Sequence, residues 1–152
     1  MPEPDDQRLY FLLQRAAHRL RTTADRRCLA AAGVTTAQLG ALFAVRDEAG
    51  VTQQQLARTL GLRESAVTGL VGRLTAAGLL AKLPHPREHR AVVLELTDAG
   101  TDALRAAQPE IDRFNTELRE ALGDEGFTGA VTAMHRLAHG ESYGAQCSGR
   151  AT

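Results

Sequence analysis

The sequence predicts a mainly α-helical fold of the α+β class, in which one β-hairpin interrupts a series of six helices. Over most of the chain, apolar residues recur three and four positions apart, which is the period of a helix packed on one side. Around residues 79–96 this period gives way to two short apolar runs separated by a proline-containing polar segment, a pattern that indicates a hairpin. Aromatic residues are only 4% of the chain, so the core depends on leucine, alanine and valine, as packed helices do.

Length and composition favour one compact domain over residues 1–152. Hydrophobic residues form 43% of the chain, which is enough for a core. No apolar run approaches the roughly 20 residues of a membrane span, and the acidic N-terminus lacks the features of a secretory signal. Cys28 and Cys147 form no CxxC pair and suggest no disulfide framework. We therefore expect a cytoplasmic protein.

The first helix is expected over residues 6–31 and to end at Gly33. Its apolar residues follow the i, i+3, i+4, i+7 spacing of an amphipathic helix. They are Leu9, Leu12, Leu13, Ala16, Ala17, Leu20 and Ala24.

Helix-end signals define the next three helices. Thr35–Gln38 and Thr52–Gln55 are capping boxes, in which a threonine oxygen accepts from first-turn amides while a glutamine reaches back, and they begin the second and third helices. The fourth helix is expected over residues 64–77, closed by Gly78 in a left-handed conformation.

The hairpin has a polar tip at residues 84–90, with two prolines and several charges. Thr97 then caps a long helix, in which Pro109 is expected to produce a kink or a break. A turn at residues 124–126 separates this helix from a last one, and the tail at 140–152 is expected to be loose.

This order of elements predicts a winged helix-turn-helix. The three-helix core and its wing need only residues 35–97, so the helices at 6–34 and 98–139 are additional. Their apolar stripes exceed what so small a core covers, which predicts that they form the interface of an obligate homodimer. The expected interface residues are Leu9, Leu12, Leu13, Ile111, Phe114, Leu118, Phe127 and Val131.

Charge is distributed unevenly along a chain whose net charge is zero. Residues 53–90 carry six basic and two acidic side chains, so this segment is +4 and the rest of the chain is −4. A positively charged segment in a chain of zero net charge predicts a polyanion-binding site confined to that segment. Its basic residues are Arg58, Arg63, Arg73, Lys82, Arg87 and Arg90.

The fourth helix has an unusual outward face. If its apolar stripe faces the core, small residues (Ser65, Gly69, Gly72, Ala76) face away, flanked by Thr68 and Arg73. Each glycine in an exposed helix interior lowers helix stability by about 1 kcal/mol relative to alanine, so two glycines on this face indicate a function that requires them. Close approach to the major groove of DNA is one such function, and close packing of another protein element is the alternative.

The hairpin tip carries Arg87 and Arg90 beside His85 and His89. A basic tip next to a recognition helix can reach the adjacent minor groove, where arginine is favoured by the negative potential. The alternative is a solvated loop whose charges have no role.

The fourth helix and the hairpin together are similar to a known family. Residues 61–80 (GLRESAVTGLVGRLTAAGLL) resemble the recognition helix of the MarR family of transcription regulators, while PHPREHRA at 84–91 and LTDAG at 96–100 resemble its wing and next helix. The resemblance extends over residues 7–139. It implies a winged-helix homodimer with intertwined terminal helices that binds pseudo-palindromic operators. Members usually repress, and many release DNA on binding phenolic or lipophilic molecules, while others respond to oxidation.

The sequence departs from the family pattern at several of these residues. Glu88 stands where the wing usually has aspartate before Arg90, and Gly69 and Gly72 stand where arginine and aspartate are often found. Arg63 replaces the usual capping residue and is expected at a phosphate. The residues expected to contact DNA are Thr52, Gln53, Arg63, Ser65, Thr68, Gly69, Arg73, Arg87, His89 and Arg90. Arg73 has an alternative role, in which it pairs with Glu88 and braces the wing.

Weaker signals suggest other sensing chemistries. Cys28, which follows Arg26 and Arg27, is either a redox-sensing thiol or, as we favour, a packed inert cysteine. His135 and His139, one helical turn apart with Cys147 beyond, either bind zinc or share this spacing by chance, which we favour. His18 either lines an effector pocket or lies in the dimer interface.

The sequence contains no catalytic motif, so we expect neither an enzyme nor a cofactor. The favoured function is a ligand-responsive DNA-binding repressor with double-stranded DNA and itself as partners. A small-molecule effector is expected between the first, second and fifth helices. The alternatives are a thiol- or zinc-responsive regulator of the same fold, and a winged helix that binds only proteins.

Overall fold

The computed structural model describes residues 8–140, which form five helices and one antiparallel hairpin. The described residues divide between Glu110 and Ile111 into two compact units. The elements are α1 (Leu9–Ala32), α2 (Thr36–Asp47), α3 (Gln53–Leu60), α4 (Glu64–Ala76), β1 (Leu80–Pro84), β2 (Val92–Leu96) and α5 (Asp98–His139). The predicted loose tail lies, apart from Gly140, outside the described residues.

Both predicted capping boxes are confirmed. Thr35 Oγ1 accepts from the Gln38 N–H at 3.2 Å while the Thr35 N–H donates to Gln38 Oε1 at 2.8 Å. Thr52 and Gln55 make the same reciprocal pair at 3.2 and 2.9 Å. These local bonds set the first residues of α2 and α3, because each satisfies two amides that have no partner inside the helix.

Of the kink or break predicted at Pro109, no break forms, because the backbone dihedrals there stay helical. A second prediction about the last helices is wrong in its position. The predicted turn at residues 124–126 is absent, and the break falls instead at Gly123, with φ 73° and ψ 163°. Glycine adopts this conformation without a Cβ clash, so the interruption needs only one residue.

The core of the first unit lies between α2, α3, α4 and the hairpin. No polar side chain among the described residues is fully buried. Each leucine or valine removed from water contributes roughly 1.5–3 kcal/mol to folding. The largest fully buried side chains are Leu42, Leu56, Leu74, Leu80, Leu94, Val34, Val51, Val67 and Val71.

The wing is attached along both edges of β2. On one side β1 and β2 pair antiparallel, from Leu80 opposite Leu96 to Pro84 opposite Val92. On the other side the Leu94 N–H donates to Val51 O at 2.8 Å, immediately before α3. The wing is therefore fixed to the start of the helix-turn-helix as well as to its end.

Two side-chain contacts tie α1 and α5 to this core. Asp25 on α1 accepts from the Thr36 backbone N–H at 2.8 Å and from Thr36 Oγ1 at 2.6 Å, at the first turn of α2. Both bonds lower the pKa of Asp25 below its ordinary value, and the bond from the Thr36 hydroxyl has the larger effect. Thr97 Oγ1 accepts from the Gly100 N–H at 3.0 Å and donates to Gly78 O at 2.6 Å, which joins the start of α5 to the end of α4.

Within residues 8–140 no single helix is both long and apolar enough to cross a membrane. Only α1 and α2 taken together, across a bend of 67°, meet that criterion.

Candidate nucleic-acid interface

Helix α4 has the two faces that the sequence predicts. Its apolar stripe is buried, and every predicted outward residue is exposed. The buried residues are Val67, Leu70, Val71 and Leu74, and the exposed ones are Ser65, Thr68, Gly69, Gly72, Arg73 and Ala76. The small-residue face is therefore directed away from the core of its own unit.

The glycines on this face have no packing role within the described chain. A Cβ added at Gly72 would meet no atom within 4 Å, and one added at Gly69 would meet only Arg73 Nη1, at 3.6 Å. The alternative of close packing by another element of the same chain therefore finds no support here. The same distance shows that the Arg73 guanidinium lies over the centre of the face.

The start of α3 lies beside the start of α4. Thr68 Oγ1 donates to Glu64 O at 2.9 Å and lies 3.5 Å from Gln53 Oε1. Thr52, the N-cap of α3, is adjacent to Gln53, and both are half-buried. The predicted residues Thr52, Gln53 and Thr68 therefore form one polar edge.

At the other end of this edge, Arg63 is the N-cap residue of α4, as predicted. Its side chain makes no capping hydrogen bond, and it is exposed. The first-turn amides of α4 thus receive no side-chain acceptor from Arg63, which leaves both the guanidinium and the positive end of the helix facing solvent.

The tip of the wing is folded on itself. His85 Nδ1 accepts from the backbone N–H groups of Arg87 and Glu88 at 3.1 and 3.0 Å. Arg90 has φ 74°, the only positive φ of a non-glycine residue in the described chain. Arg87, His89 and Arg90 all carry exposed side chains.

The six basic residues of the segment 53–90 have no acidic partner within residues 8–140. None of the six makes an ion pair or a side-chain hydrogen bond there, and all six are exposed. The brace between Arg73 and Glu88 is likewise not formed in this part of the chain. A cluster of exposed, unpaired cations around a glycine-lined helix favours a closely approaching polyanion.

None of the predicted interface residues is fully buried in the single chain. Leu9 and Leu12 in α1 are 57% and 48% exposed, and Val131 in α5 is 42% exposed. The others, Leu13, Ile111, Phe114, Leu118 and Phe127, are half-buried.

The surroundings of Cys28 and of the pair His135 and His139 bear on the proposed thiol and zinc chemistry. Cys28 is 4% exposed, and burial, followed by the charges of Asp25 and Glu110, raises its thiol pKa, which disfavours the reactive thiolate. The imidazoles of His135 and His139 stack with centroids 5.7 Å apart. Among residues 8–140 no group of three or more metal-ligating side chains is found, and Cys147 lies outside that range.

An open concavity of about 710 Å³ runs along α1. It combines apolar and basic side chains, including His18. Its lining residues are Leu12, Gln14, Arg15, Ala16, His18, Arg19 and Leu20.

The comparisons with known proteins agree with this geometry. The family model described as MarR family matches residues 32–91. Over 134 residues the chain is 33% identical to the transcriptional activatory protein BadR of Rhodopseudomonas palustris, a match that covers 86% of this chain and 74% of BadR. The chain belongs to the MarR family.

Solved structures show the same fold and confirm the predicted winged helix. The repressor CouR, bound to a 23-mer DNA duplex, has a TM-score of 0.80 and 26% identity to this MarR-family chain, over 86% of it and 92% of CouR. The PcaV regulator from Streptomyces coelicolor, in complex with its natural ligand, has a TM-score of 0.73 and 27% identity, over 90% of this chain and 94% of PcaV.

Sequence reasoning on this MarR-family chain missed three features. They are the bond between Asp25 and Thr36, the attachment of β2 at Val51, and the wing turn centred on His85. The first two join residues far apart in the chain, for which a single sequence holds no signal. The third is local, but histidine is not among the usual turn-forming residues.

Proposed function

We propose that this protein is a transcription regulator that binds an operator as a homodimer through α4 and the wing and responds to a small ligand. The observation that carries the proposal is the outward face of α4, where Gly69 and Gly72 lack any packing role and Arg73 lies unpaired over the centre. We propose that residues 35–97 form the DNA-binding core and that 6–34 and 98–139 form the dimer.

In this arrangement α4 enters the major groove. Ser65 and Thr68 lie at base edges, Arg63 and Arg73 at flanking bases or phosphates, and Arg90 in the adjacent minor groove. Two such helices in one dimer read half-sites about one helical turn, ~10 bp, apart.

Selection of bound sequences from a random DNA pool tests this directly. We expect an enriched pseudo-palindrome with that spacing, bound in a gel-shift assay with strong salt dependence. A pool that stays unenriched, together with retention of partner proteins by the winged-helix unit, would instead establish the protein-binding alternative.

Apolar surface that is exposed to solvent in the single chain supports the proposed dimer. Leu9, Tyr10, Phe11 and Leu12 at the start of α1 are each 48–63% exposed. A monomer rarely leaves a contiguous patch of this kind uncovered. Sedimentation is expected to show a dimer at micromolar concentration, and a stably folded monomer there would refute the interface.

The concavity along α1 favours an apolar anionic effector. Leu12 and Leu20 supply apolar walls while Arg15 and Arg19 supply positive charge. The ligand releases DNA only if it binds better to a dimer whose recognition helices are wrongly spaced. Release of operator by members of a panel of aromatic acids, and its loss in Arg15→Ala, would support this site, and an unresponsive panel would contradict it.

We propose repression as the outcome, the activity named for CouR, whereas BadR is named as activatory. A reporter gene behind the selected operator separates the two. The related proteins are transcription regulators, and we propose accordingly that this chain acts in the cytoplasm without catalysis.

A further inference from the structure

The wing tip contains a histidine in a role that the proposed function leaves unassigned. His85 is half-buried at the base of the loop, whereas residues 86–90 are all exposed. Its Nδ1 accepts from two consecutive amides, those of Arg87 and Glu88, at 3.1 and 3.0 Å. This is the geometry that an aspartate or asparagine oxygen produces when it closes a turn on its own backbone.

The same residue also closes the loop through its backbone. The His85 N–H donates to Ala91 O at 2.9 Å, and the Ala91 N–H donates to Glu88 O at 3.3 Å. Between these bonds Arg90 is held at φ 74°, a left-handed conformation that a non-glycine residue keeps only when its surroundings enforce it. The direction of the Arg90 side chain is therefore set by the turn that His85 closes.

We infer that His85 is a positioning residue for the wing, and that its unprotonated Nδ1 holds Arg87 and Arg90 in the conformation that meets DNA. The inference rests on the proposed function. Nδ1 accepts a hydrogen bond only while it carries no proton. Protonation of the imidazole turns Nδ1 into a donor, which then faces the donating N–H groups of Arg87 and Glu88. Protonation therefore opens the turn and releases the wing from its DNA-binding conformation.

The wing that contains His85 carries several other charged or titratable residues. They are Lys82 on β1, Arg87, Glu88, His89 and Arg90 in the loop, and Glu95 on β2. None of them makes an ion pair with the His85 imidazole in the described structure.

The test compares His85→Asn with His85→Ala in operator binding measured by fluorescence anisotropy. The asparagine oxygen replaces Nδ1 as acceptor without a titratable proton, and alanine removes the acceptor. His85→Ala is expected to weaken binding at least about fivefold, the usual size of one neutral hydrogen bond, and to lower the salt slope by about 0.9 for each phosphate that the wing no longer neutralises. His85→Asn is expected to stay within about threefold of the wild type, less than the effect of that bond.

Histidine changes charge between about pH 7.5 and about pH 5.5, so a second comparison uses that range. The wild type is expected to lose affinity relative to His85→Asn as the pH falls, and His89→Asn, which removes the neighbouring imidazole, is expected to keep that pH-dependent weakening. Binding by His85→Ala equal to the wild type, or a ratio of wild type to His85→Asn that is independent of pH, would overturn the inference.

Nuclear magnetic resonance of the DNA-free protein keeps this test separate from the proposed function. The wild type is expected to show His85 with its proton on Nε2 at neutral pH, and the Arg87 and Glu88 amides are expected to shift as the imidazole is protonated. A proton on Nδ1 at neutral pH would refute the turn even if no operator were found. Failure of the wild type to bind any DNA would refute the proposed function alone.

Discussion

Replacing Gly72 with alanine separates the stability of α4 from its contact with DNA. Gly72 lies in the interior of the helix, is exposed, and has open space where a Cβ would be placed. Alanine in an exposed helix interior is about 1 kcal/mol more favourable than glycine. Gly72→Ala is therefore expected to raise the free energy of unfolding by about 1 kcal/mol and the melting temperature by about 2–4 °C in a chain of this size.

Operator affinity is expected to change in the opposite direction. If the α4 backbone lies against base edges at Gly72, the added methyl group displaces the helix and weakens its hydrogen bonds to bases. We expect affinity to fall about tenfold, equivalent to about 1.4 kcal/mol. Thermal denaturation and fluorescence anisotropy with the selected operator measure the two effects in the same preparation.

Gly40→Ala provides the matched control. Gly40 lies within α2, where an added Cβ meets only Leu60 Cδ2 at an ordinary 3.9 Å and no atom of α4 or the wing within 4 Å. It is expected to raise stability without affecting operator affinity. A Gly72→Ala protein that is more stable and binds as tightly as the wild type would show that this face of α4 does not approach DNA closely.

Three further predictions concern the residues proposed to contact DNA and the fold. Thr68→Ala is expected to weaken operator binding by ~1–3 kcal/mol and to relax base preference. Arg90→Ala is expected to weaken binding evenly across sequences and to flatten its salt dependence. Unchanged operator binding in both variants would refute the proposal that α4 and the wing contact DNA. Arg73 and Glu88 share no ion pair or hydrogen bond in the described structure, so a double-mutant cycle on operator binding is expected to be additive within about 0.5 kcal/mol. A larger coupling energy would show that Arg73 braces the wing through Glu88. Asp25→Ala removes two hydrogen bonds and is expected to lower the free energy of unfolding in urea by about 1–2 kcal/mol at neutral pH. Because the folded-state pKa of Asp25 is lowered from 3.8, this contribution is present above about pH 4 and disappears as the pH falls further, so an equal deficit at pH 7 and in strong acid would contradict it.

The local patterns of the sequence were sufficient for most elements and for the outward face of α4. The threonine and glutamine of each capping box are three residues apart, so their bonds form wherever the helix begins. The outward direction of Gly69 and Gly72 follows from the helical period once Val67 and Val71 are assigned to the core. Such features depend only on neighbouring residues, and for that reason a single chain reveals them.

Only the tertiary structure decided the features that join distant residues or choose between equivalent local ones. Asp25 and Thr36 meet because α1 and α2 cross there, and neither residue alone indicates the other. The break in α5 fell at Gly123, although Gly126 was equally available by residue type. Arg73 lies over Gly69, away from Glu88, because the missing side chain leaves room for its guanidinium there. In each case the outcome depends on the space and the partners that the folded chain provides, which no spacing along the sequence records.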